Sequence, residues 1–152
     1  MNTLVVGAGT MGRWFGKCLA GDHEVSFADT SSKAAAAAAA AVGGQTTGVH
    51  DEEPFELVCL AVPISVIESV IERQAPRATR AIMDVSGVMA GPVKTMQEVA
   101  PDRERVSLHP LFAPSNEPGN VALVVESGGP CVASVRAALE ARENHVFETT
   151  PE

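Results

Sequence analysis

Three glycines near the start of the chain have the spacing of a phosphate-binding turn. Residues 4–6 are apolar and meet Gly7, Gly9 and Gly12 in the pattern G-x-G-x-x-G, and a helical pattern of apolar residues follows at once. In such a pattern the first glycine permits a tight turn, the second leaves room for a pyrophosphate, and the third lets the helix pack closely on a sheet. Free N–H groups at the helix N-terminus attract the phosphates. The predicted pyrophosphate contacts are Gly7, Ala8, Gly9, Thr10, Met11 and Gly12.

An acidic residue follows at the distance expected for a ribose contact. Residues 25–28 form a second predicted strand, which leads into Asp29, twenty positions after Gly9. A carboxylate at about this spacing accepts hydrogen bonds from the adenosine ribose hydroxyls of a dinucleotide. The same negative charge repels the 2′-phosphate that distinguishes NADP from NAD. The glycine turn and Asp29 together therefore predict NAD as the cofactor.

A histidine is the second candidate for chemistry. His109 directly follows a predicted buried strand, residues 105–108, and precedes Pro110. An imidazole in this place can polarise or deprotonate a substrate hydroxyl while hydride leaves the adjoining carbon. A structural histidine satisfied at a strand end is the alternative interpretation. The other histidines fall in predicted turns or edges, where solvated side chains are expected: His23, His50 and His145.

Strands alternate with helices along the chain. The predicted strands are residues 4–6, 25–28, part of 45–49, 55–62, 81–85, 105–108, 121–125 and 145–147. Predicted helices follow the glycine turn and the second strand, begin at Pro63, and occupy residues 92–99 and 130–142. This alternation indicates an α/β fold with a doubly wound, mostly parallel sheet of the Rossmann type, in one dinucleotide-binding domain over residues 1–152. Ligands bind such sheets outside the carboxyl ends of the strands, so Ala61, Val62 and Pro63 are also predicted cofactor contacts.

Composition limits the other classes of function. The formal net charge of −8 argues against a nucleic-acid partner. No apolar stretch approaches the roughly 20 residues of a membrane span. The cysteines, Cys18, Cys59 and Cys131, lie in apolar helix or strand patterns without metal-ligand spacing. We therefore expect reduced core thiols, no metal site and a cytoplasmic location.

Several segments of the sequence resemble those of one enzyme family. Residues 109–114, His-Pro-Leu-Phe-Ala-Pro, are similar to the His-Pro-Met-Phe-Gly-Pro segment of the prephenate dehydrogenase family. Residues 84–92 are similar to its Asp-x-x-Ser-Val-Lys-x-Gly-Pro segment, and residues 62–71 to its exit from the fourth strand. Residues 12–19 look like its first helix, particularly in the enzymes fused to chorismate mutase. The resemblance covers roughly residues 3 to 149.

The resemblance implies an NAD-dependent oxidoreductase of tyrosine biosynthesis, which converts prephenate to 4-hydroxyphenylpyruvate by oxidative decarboxylation. His109 would then accept a hydrogen bond from the substrate hydroxyl while hydride passes from the same ring carbon to NAD. A related dehydrogenase of arogenate or a β-hydroxyacid, and a dinucleotide-binding module without turnover, are the alternatives. Family members also continue into a helical domain that forms a homodimer and supplies an arginine to the substrate. We expect that domain to be absent from this chain.

The sequence departs from the family at two positions near the substrate. The family's serine of the Ser-Val-Lys triplet falls on Gly87, and its lysine falls on Met89. Ser86, one position earlier, could supply the hydroxyl if the local backbone shifts. His109 and Ser86 are therefore the candidate catalytic residues, and the exact substrate stays open between prephenate and its relatives.

Overall fold

The computed structural model describes residues 1–87 and 90–151. Within these two segments, eight strands and five α-helices alternate along the chain. The strands are β1 (Asn2–Val6), β2 (Glu24–Ala28), β3 (Gln45–Thr46), β4 (Phe55–Leu60), β5 (Ala78–Asp84), β6 (Glu104–Pro110), β7 (Asn120–Ser127) and β8 (His145–Glu148). The helices are α1 (Thr10–Leu19), α2 (Ser32–Val42), α3 (Ile67–Gln74), α4 (Ala90–Val99) and α5 (Pro130–Ala141).

These strands form one sheet in the order β3-β2-β1-β4-β5-β6-β7-β8. Neighbouring strands run parallel except β6 and β7, which are antiparallel. One apolar layer packs α1, α2 and α5 on one face of the sheet, and a second packs α3 and α4 on the other. The chain winds away from β1 in one direction through β2 and in the other through β4. The doubly wound α/β fold is thus confirmed, and its ligand crevice lies where β1 and β4 end.

Helix α2 shows how local sequence sets an element. Ser31 caps it by accepting a hydrogen bond from the N–H of Ala34 at 3.2 Å. The alanines that follow have the highest intrinsic helix propensity, and their small side chains let the helix lie close to the sheet. Gly43 ends the helix in a left-handed conformation with φ of +71°. Both ends are thus set by the local sequence.

The sixth strand is longer than the sequence predicts. It continues past Leu108 through Pro110, because β7 pairs with it as far as the register pair Pro110 and Val121. His109 therefore lies within a strand and not just after one. The apolar pattern ends at Leu108 because a polar residue follows, whereas the backbone pairing does not depend on side-chain polarity.

The exit of β4 also differs from the prediction. The strand ends at Leu60, two residues early, and the helix expected from Pro63 begins only at Ile67. A 3₁₀ turn, Ile64–Val66, comes between them. This turn moves the start of α3 away from the strand end and leaves an open region in front of β4.

Candidate functional site

The glycine turn joins β1 to α1 and packs against the exit of β4. Gly7 has a φ of +106°, and a Cβ there would overlap the carbonyl group of Ala61. A Cβ at Gly12 would overlap the carbonyl of Gly7, so this glycine lets α1 start directly against the turn. A Cβ at Gly9 would meet no described atom within 4 Å. The protein's own packing thus requires Gly7 and Gly12, whereas the room at Gly9 belongs to an open cleft.

Helix α1 begins at this cleft without a side-chain cap. Gly9 is its N-cap residue, and among the described residues no side chain bonds to the first turn. Gly7, Gly9, Thr10 and Met11 line the cleft, whereas Ala8 and Gly12 are buried behind it. An uncapped first turn presents N–H groups that attract an anion. Four of the six predicted pyrophosphate contacts are therefore placed where a ligand could reach them.

Asp29 follows β2 and fastens the glycine turn through its carboxylate. Oδ2 accepts the N–H of Ala8 at 2.9 Å, and Oδ1 accepts the N–H of Ser31 at 2.8 Å. Each carboxylate oxygen can accept a further hydrogen bond. Because Asp29 also lines the cleft, a ligand hydroxyl there could use the remaining acceptor positions. The structure thus shows a role in holding the turn that the sequence did not predict.

The cleft has a volume of about 740 Å³ and extends across the ends of β1, β4 and β5. The predicted residues Ala61, Val62 and Pro63 line it. Sequence reasoning missed a further group of lining residues, contributed by the segment after β2, the loop after β3 and the region of α3: Thr30, Val49, His50, Ile64, Val66, Val70, Arg73 and Gln74.

A signal for part of this missed group exists in the sequence. Two apolar side chains of this region are exposed, Val66 to 42% and Ile64 to 56%. Residues two apart do not share one face of a helix, so a helix cannot bury both side chains. The spacing of Ile64 and Val66 therefore indicates an apolar surface outside the core.

His109 lies on β6, close to the end of the cleft. A Cβ built on Gly87 would lie 3.4 Å from Nε2 of the His109 ring. Ser86 lines the cleft, whereas the half-buried His109 is not among its lining residues. Ser86 precedes Gly87 in the chain and the His109 ring lies close to Gly87, so this glycine connects the two candidate catalytic residues. Gly87 has a φ of +79°, so a serine at this position would be strained. Met89 lies outside the described residues.

The buried carboxyl group of Asp84 accepts hydrogen bonds from Ser86. The backbone N–H and the hydroxyl of Ser86 donate to Oδ2 of Asp84, at 3.1 and 2.5 Å. Asp84 is the last residue of β5 and has no solvent exposure. Burial raises the pKa of Asp84 above its ordinary value, although the hydrogen bonds from Ser86 act in the opposite direction. The pair fixes the turn that carries Gly87 toward His109.

A second set of polar contacts holds the loop after His109, residues 111–119. The carboxylate of Glu117 accepts hydrogen bonds from Nε and Nη2 of Arg142, at 3.0 and 2.6 Å, and from Nδ2 of Asn144 at 2.7 Å. Burial raises the pKa of Glu117, but these hydrogen bonds outweigh it and hold the pKa below its usual value. In the same loop, Phe112 packs edge-on against Trp14, with ring centroids 5.8 Å apart.

The remaining histidines and the cysteines differ in their surroundings. His50 is exposed, as predicted, but it also lines the cleft. His23 contacts the N-terminal amine at 3.1 Å, and His145 stacks on Phe147.

Cys59 and Cys131 are buried free thiols, whereas Cys18 is only partly buried. Over the described ranges 1–87 and 90–151, no three His, Cys, Asp or Glu side chains come together as a metal-ligand group.

No helix in the described part of the chain is long and apolar enough to cross a membrane.

The doubly wound sheet, the glycine turn after β1 and the acid after β2 define a dinucleotide-binding domain of the Rossmann type. Residues 17–124 match the sequence profile of the family described as prephenate dehydrogenase, nucleotide-binding domain, and the chain belongs to this family. The match begins after the glycine turn and includes Asp29, Ser86 and His109. The family resemblance of the sequence is confirmed.

Solved structures show the same fold. Prephenate dehydrogenase from A. aeolicus, in complex with hydroxyphenyl propionate and NAD+, matches 99% of this chain and 60% of its own with a TM-score of 0.80 and 18% identity. Synechocystis arogenate dehydrogenase matches 99% of this chain and 60% of its own with a TM-score of 0.74 and 18% identity. A pyrroline-5-carboxylate reductase from Coxiella burnetii matches 98% of this chain and 58% of its own with a TM-score of 0.78 and 17% identity.

The chain therefore spans about 60% of the length of the first of these proteins. A search of curated protein sequences finds no match.

Proposed function

We propose that the chain is the NAD-binding domain of a dehydrogenase that acts on prephenate. One observation carries the cofactor part of this proposal. The open position at Gly9, beside the uncapped start of α1, shares a single cleft with the carboxylate of Asp29. A pyrophosphate needs the open space and the free N–H groups at Gly9 and the start of α1, and a ribose diol needs an acceptor such as the carboxylate of Asp29. The residues present therefore fit a dinucleotide without a 2′-phosphate.

The cleft offers a distinct place to each half of that cofactor. Val66 and Val70 line an apolar part of the cleft together with Val49 and His50. This part of the cleft suits an adenine ring. The opposite end reaches Ser86, next to Gly87 and the His109 ring. A nicotinamide placed there would lie beside the candidate catalytic residues.

When bound, NAD supplies an acceptor for hydride. The chain's own contribution is to hold the substrate hydroxyl, which His109 does by accepting its hydrogen bond at Nε2 or Nδ1. As hydride leaves the ring carbon, the hydroxyl oxygen gives its proton to the imidazole and the carbon–oxygen bond becomes a carbonyl. The substrate carboxylate then leaves as CO₂, its bonding electron pair enters the ring, and the proton held at His109 returns to the phenolic oxygen. Atoms and charge balance for prephenate, NAD+, 4-hydroxyphenylpyruvate, CO₂ and NADH.

The family match and the A. aeolicus structure support prephenate as the substrate, and NAD+ in that structure supports the cofactor. Arogenate is a second candidate, because the arogenate dehydrogenase has the same sequence identity to this chain, 18%. Gly87 has no side chain with which to distinguish prephenate from arogenate, so both stay candidate substrates. The proposal places the protein in the cytoplasm and in tyrosine biosynthesis, with the helical, dimer-forming domain that the resemblance implies.

Calorimetric titration of the chain with NAD and NADP tests the cofactor assignment. We expect NAD to bind at least tenfold more tightly, because Asp29 repels the additional phosphate. Equal affinities would contradict the assignment.

Absorbance of NADH, followed with prephenate or arogenate present, tests the reaction. Arg73 is the one arginine or lysine of the described residues that lines the cleft, and it lies with Val70 and Gln74 at the adenosine end. A substrate carboxylate needs a charged partner in a closed site. We therefore expect residues 1–152 alone to bind NAD without sustained turnover. Turnover at an ordinary enzymatic rate would show that this domain carries its own substrate site.

A further inference from the structure

The loop between β3 and β4, residues 47–54, forms one wall of the adenosine end of the cleft through Val49 and His50. We infer that Arg77 is a positioning residue for this wall: it fixes the loop against α3 and thereby sets the affinity for the adenosine half of a dinucleotide. Arg77 itself does not line the cleft. The inference rests on the proposed function, because it concerns the same cofactor site.

The contacts of Arg77 reach both ends of the loop. Its Nε donates to the carbonyl oxygen of Glu53 at 2.9 Å. Its Nη1 donates to the carbonyl oxygen of Gly48 at 3.0 Å, and its Nη2 donates to the hydroxyl of Thr47 at 3.0 Å. The residue is only 3% exposed. Three donors of one rigid group thus hold the start and the end of the loop at fixed separation.

Only an arginine has this arrangement of donors. The guanidinium is planar, and its N–H groups point in several directions at once, whereas a lysine ammonium is a compact charge. The ring of Phe55 lies under the guanidinium, 5.3 Å from its central carbon, and adds a cation–π contact. Burial lowers the pKa of Arg77, whereas the charges of Glu53 and Asp51 act in the opposite direction.

A glutamine extends the same network into the cleft. Nη1 of Arg77 also donates to Oε1 of Gln74 at 3.3 Å. This contact fixes the orientation of the amide, so that Nε2 of Gln74 donates to the carbonyl oxygen of Val49 at 2.8 Å. Gln74 ends α3 and lines the cleft itself. Arg77 therefore joins the two walls of the adenosine end, the loop and α3.

Another buried arginine provides a matched control. Arg105 is 9% exposed, and its Nη1 donates to the carbonyl oxygens of Ala100, Pro101 and Arg103. It holds the turn between α4 and β6, whose residues are not among those that line the cleft. Substitution of Arg105 removes a comparable set of buried hydrogen bonds without touching the adenosine wall.

The test compares Arg77→Lys with Arg105→Lys in the 152-residue chain. Amide resonances are followed by NMR during titration with AMP, which carries the adenosine half, and with nicotinamide mononucleotide. For Arg77→Lys we expect about tenfold weaker AMP binding and a change of less than twofold for nicotinamide mononucleotide. For Arg105→Lys we expect less than twofold change for both, while urea unfolding records the stability lost by each variant.

Two results would overturn the inference: unchanged AMP affinity in Arg77→Lys, or an equal loss in Arg105→Lys. If Arg77→Lys does not fold, Thr47→Val replaces it, because this change removes one acceptor of Arg77 at a residue that does not line the cleft. We then expect about threefold weaker AMP binding, and an unchanged affinity would count against the inference. Failure of the unsubstituted chain to bind AMP and NAD would instead refute the proposed function, and the inference with it.

Discussion

The glycine turn and the region of Ser86 and His109 are built by different means. At the glycine turn, the structure depends on backbone: Gly7 and Gly12 leave no room for a side chain, and Asp29 binds backbone N–H groups. At the other end it depends on side chains, with Asp84 under Ser86 and the His109 ring against Gly87. Backbone approach tolerates few residue types, whereas side-chain contacts can be rearranged by single substitutions. In the proposed function, the glycine turn therefore sets the class of ligand, and the region of Ser86 and His109 is free to change the substrate.

The largest expected effect lies at the His109 end. His109→Asn in the full-length enzyme that the proposal implies should lower turnover by about 10²–10⁴, the usual contribution of a general acid–base group. NAD affinity should change by less than twofold, because the ring does not line the cofactor cleft. Steady-state kinetics and calorimetry measure the two quantities. The control is His145→Asn, at an exposed histidine on β8. A loss of turnover of only twofold in His109→Asn would show that His109 has a structural role.

Two alanine substitutions separate the roles of the glycines at the other end. Gly12→Ala should destabilise the fold by about 1–3 kcal/mol, because its Cβ overlaps the Gly7 carbonyl in a packed region. Gly9→Ala should change the free energy of unfolding by less than about 0.5 kcal/mol. It should nevertheless weaken NAD binding about tenfold, since the methyl group enters the space in front of α1. Urea unfolding and calorimetry give the two quantities, and a stable Gly9→Ala variant with full NAD affinity would place the pyrophosphate elsewhere.

A smaller effect is expected for cofactor choice. Asp29→Ala should narrow the difference between NAD and NADP affinity by about tenfold, or roughly 1.4 kcal/mol. It should also weaken NAD binding itself, because Ala8 and Ser31 lose the carboxylate that holds them. Asp102→Ala, at an exposed acid in the turn before β6, is the control. If the difference between the two cofactors persists in Asp29→Ala, another group determines it.

The smallest effect concerns the loop after His109 and depends on pH. The pKa of Glu117 is lowered in the folded protein, so its contribution to stability is present above the ordinary carboxyl pKa and disappears as pH falls through the lowered value. Glu117→Gln should therefore lower the free energy of unfolding by roughly 1 kcal/mol at pH 7, because it removes the ion pair with Arg142, which is partly open to solvent. The two proteins should converge in stability at acidic pH. A difference that does not vary with pH would show that packing, and not charge, is responsible.

The same contrast explains what the sequence could predict. The glycine spacing and the alternation of strands and helices identify the fold, because each is a local requirement of the backbone, and together with Asp29 they predict the phosphate and ribose contacts. The extension of β6 to Pro110 escapes prediction, since it depends on pairing with β7, which is distant in the chain. The adenosine wall escapes for the same reason. Nothing near Arg77 in sequence shows that its side chain will reach Thr47, Gly48 and Glu53.

The contact between Trp14 and Phe112 gives the chain an optical reporter of its own. The sequence contains one tryptophan and no tyrosine, so ultraviolet emission comes from a single indole. That indole is buried, and Phe112, which packs edge-on against it, belongs to the loop after His109. Displacement of this loop would therefore change the wavelength or intensity of the emitted light. A titration could be followed in unlabelled protein, and the spectrum would distinguish ligands that move this loop from ligands that bind only at the glycine turn.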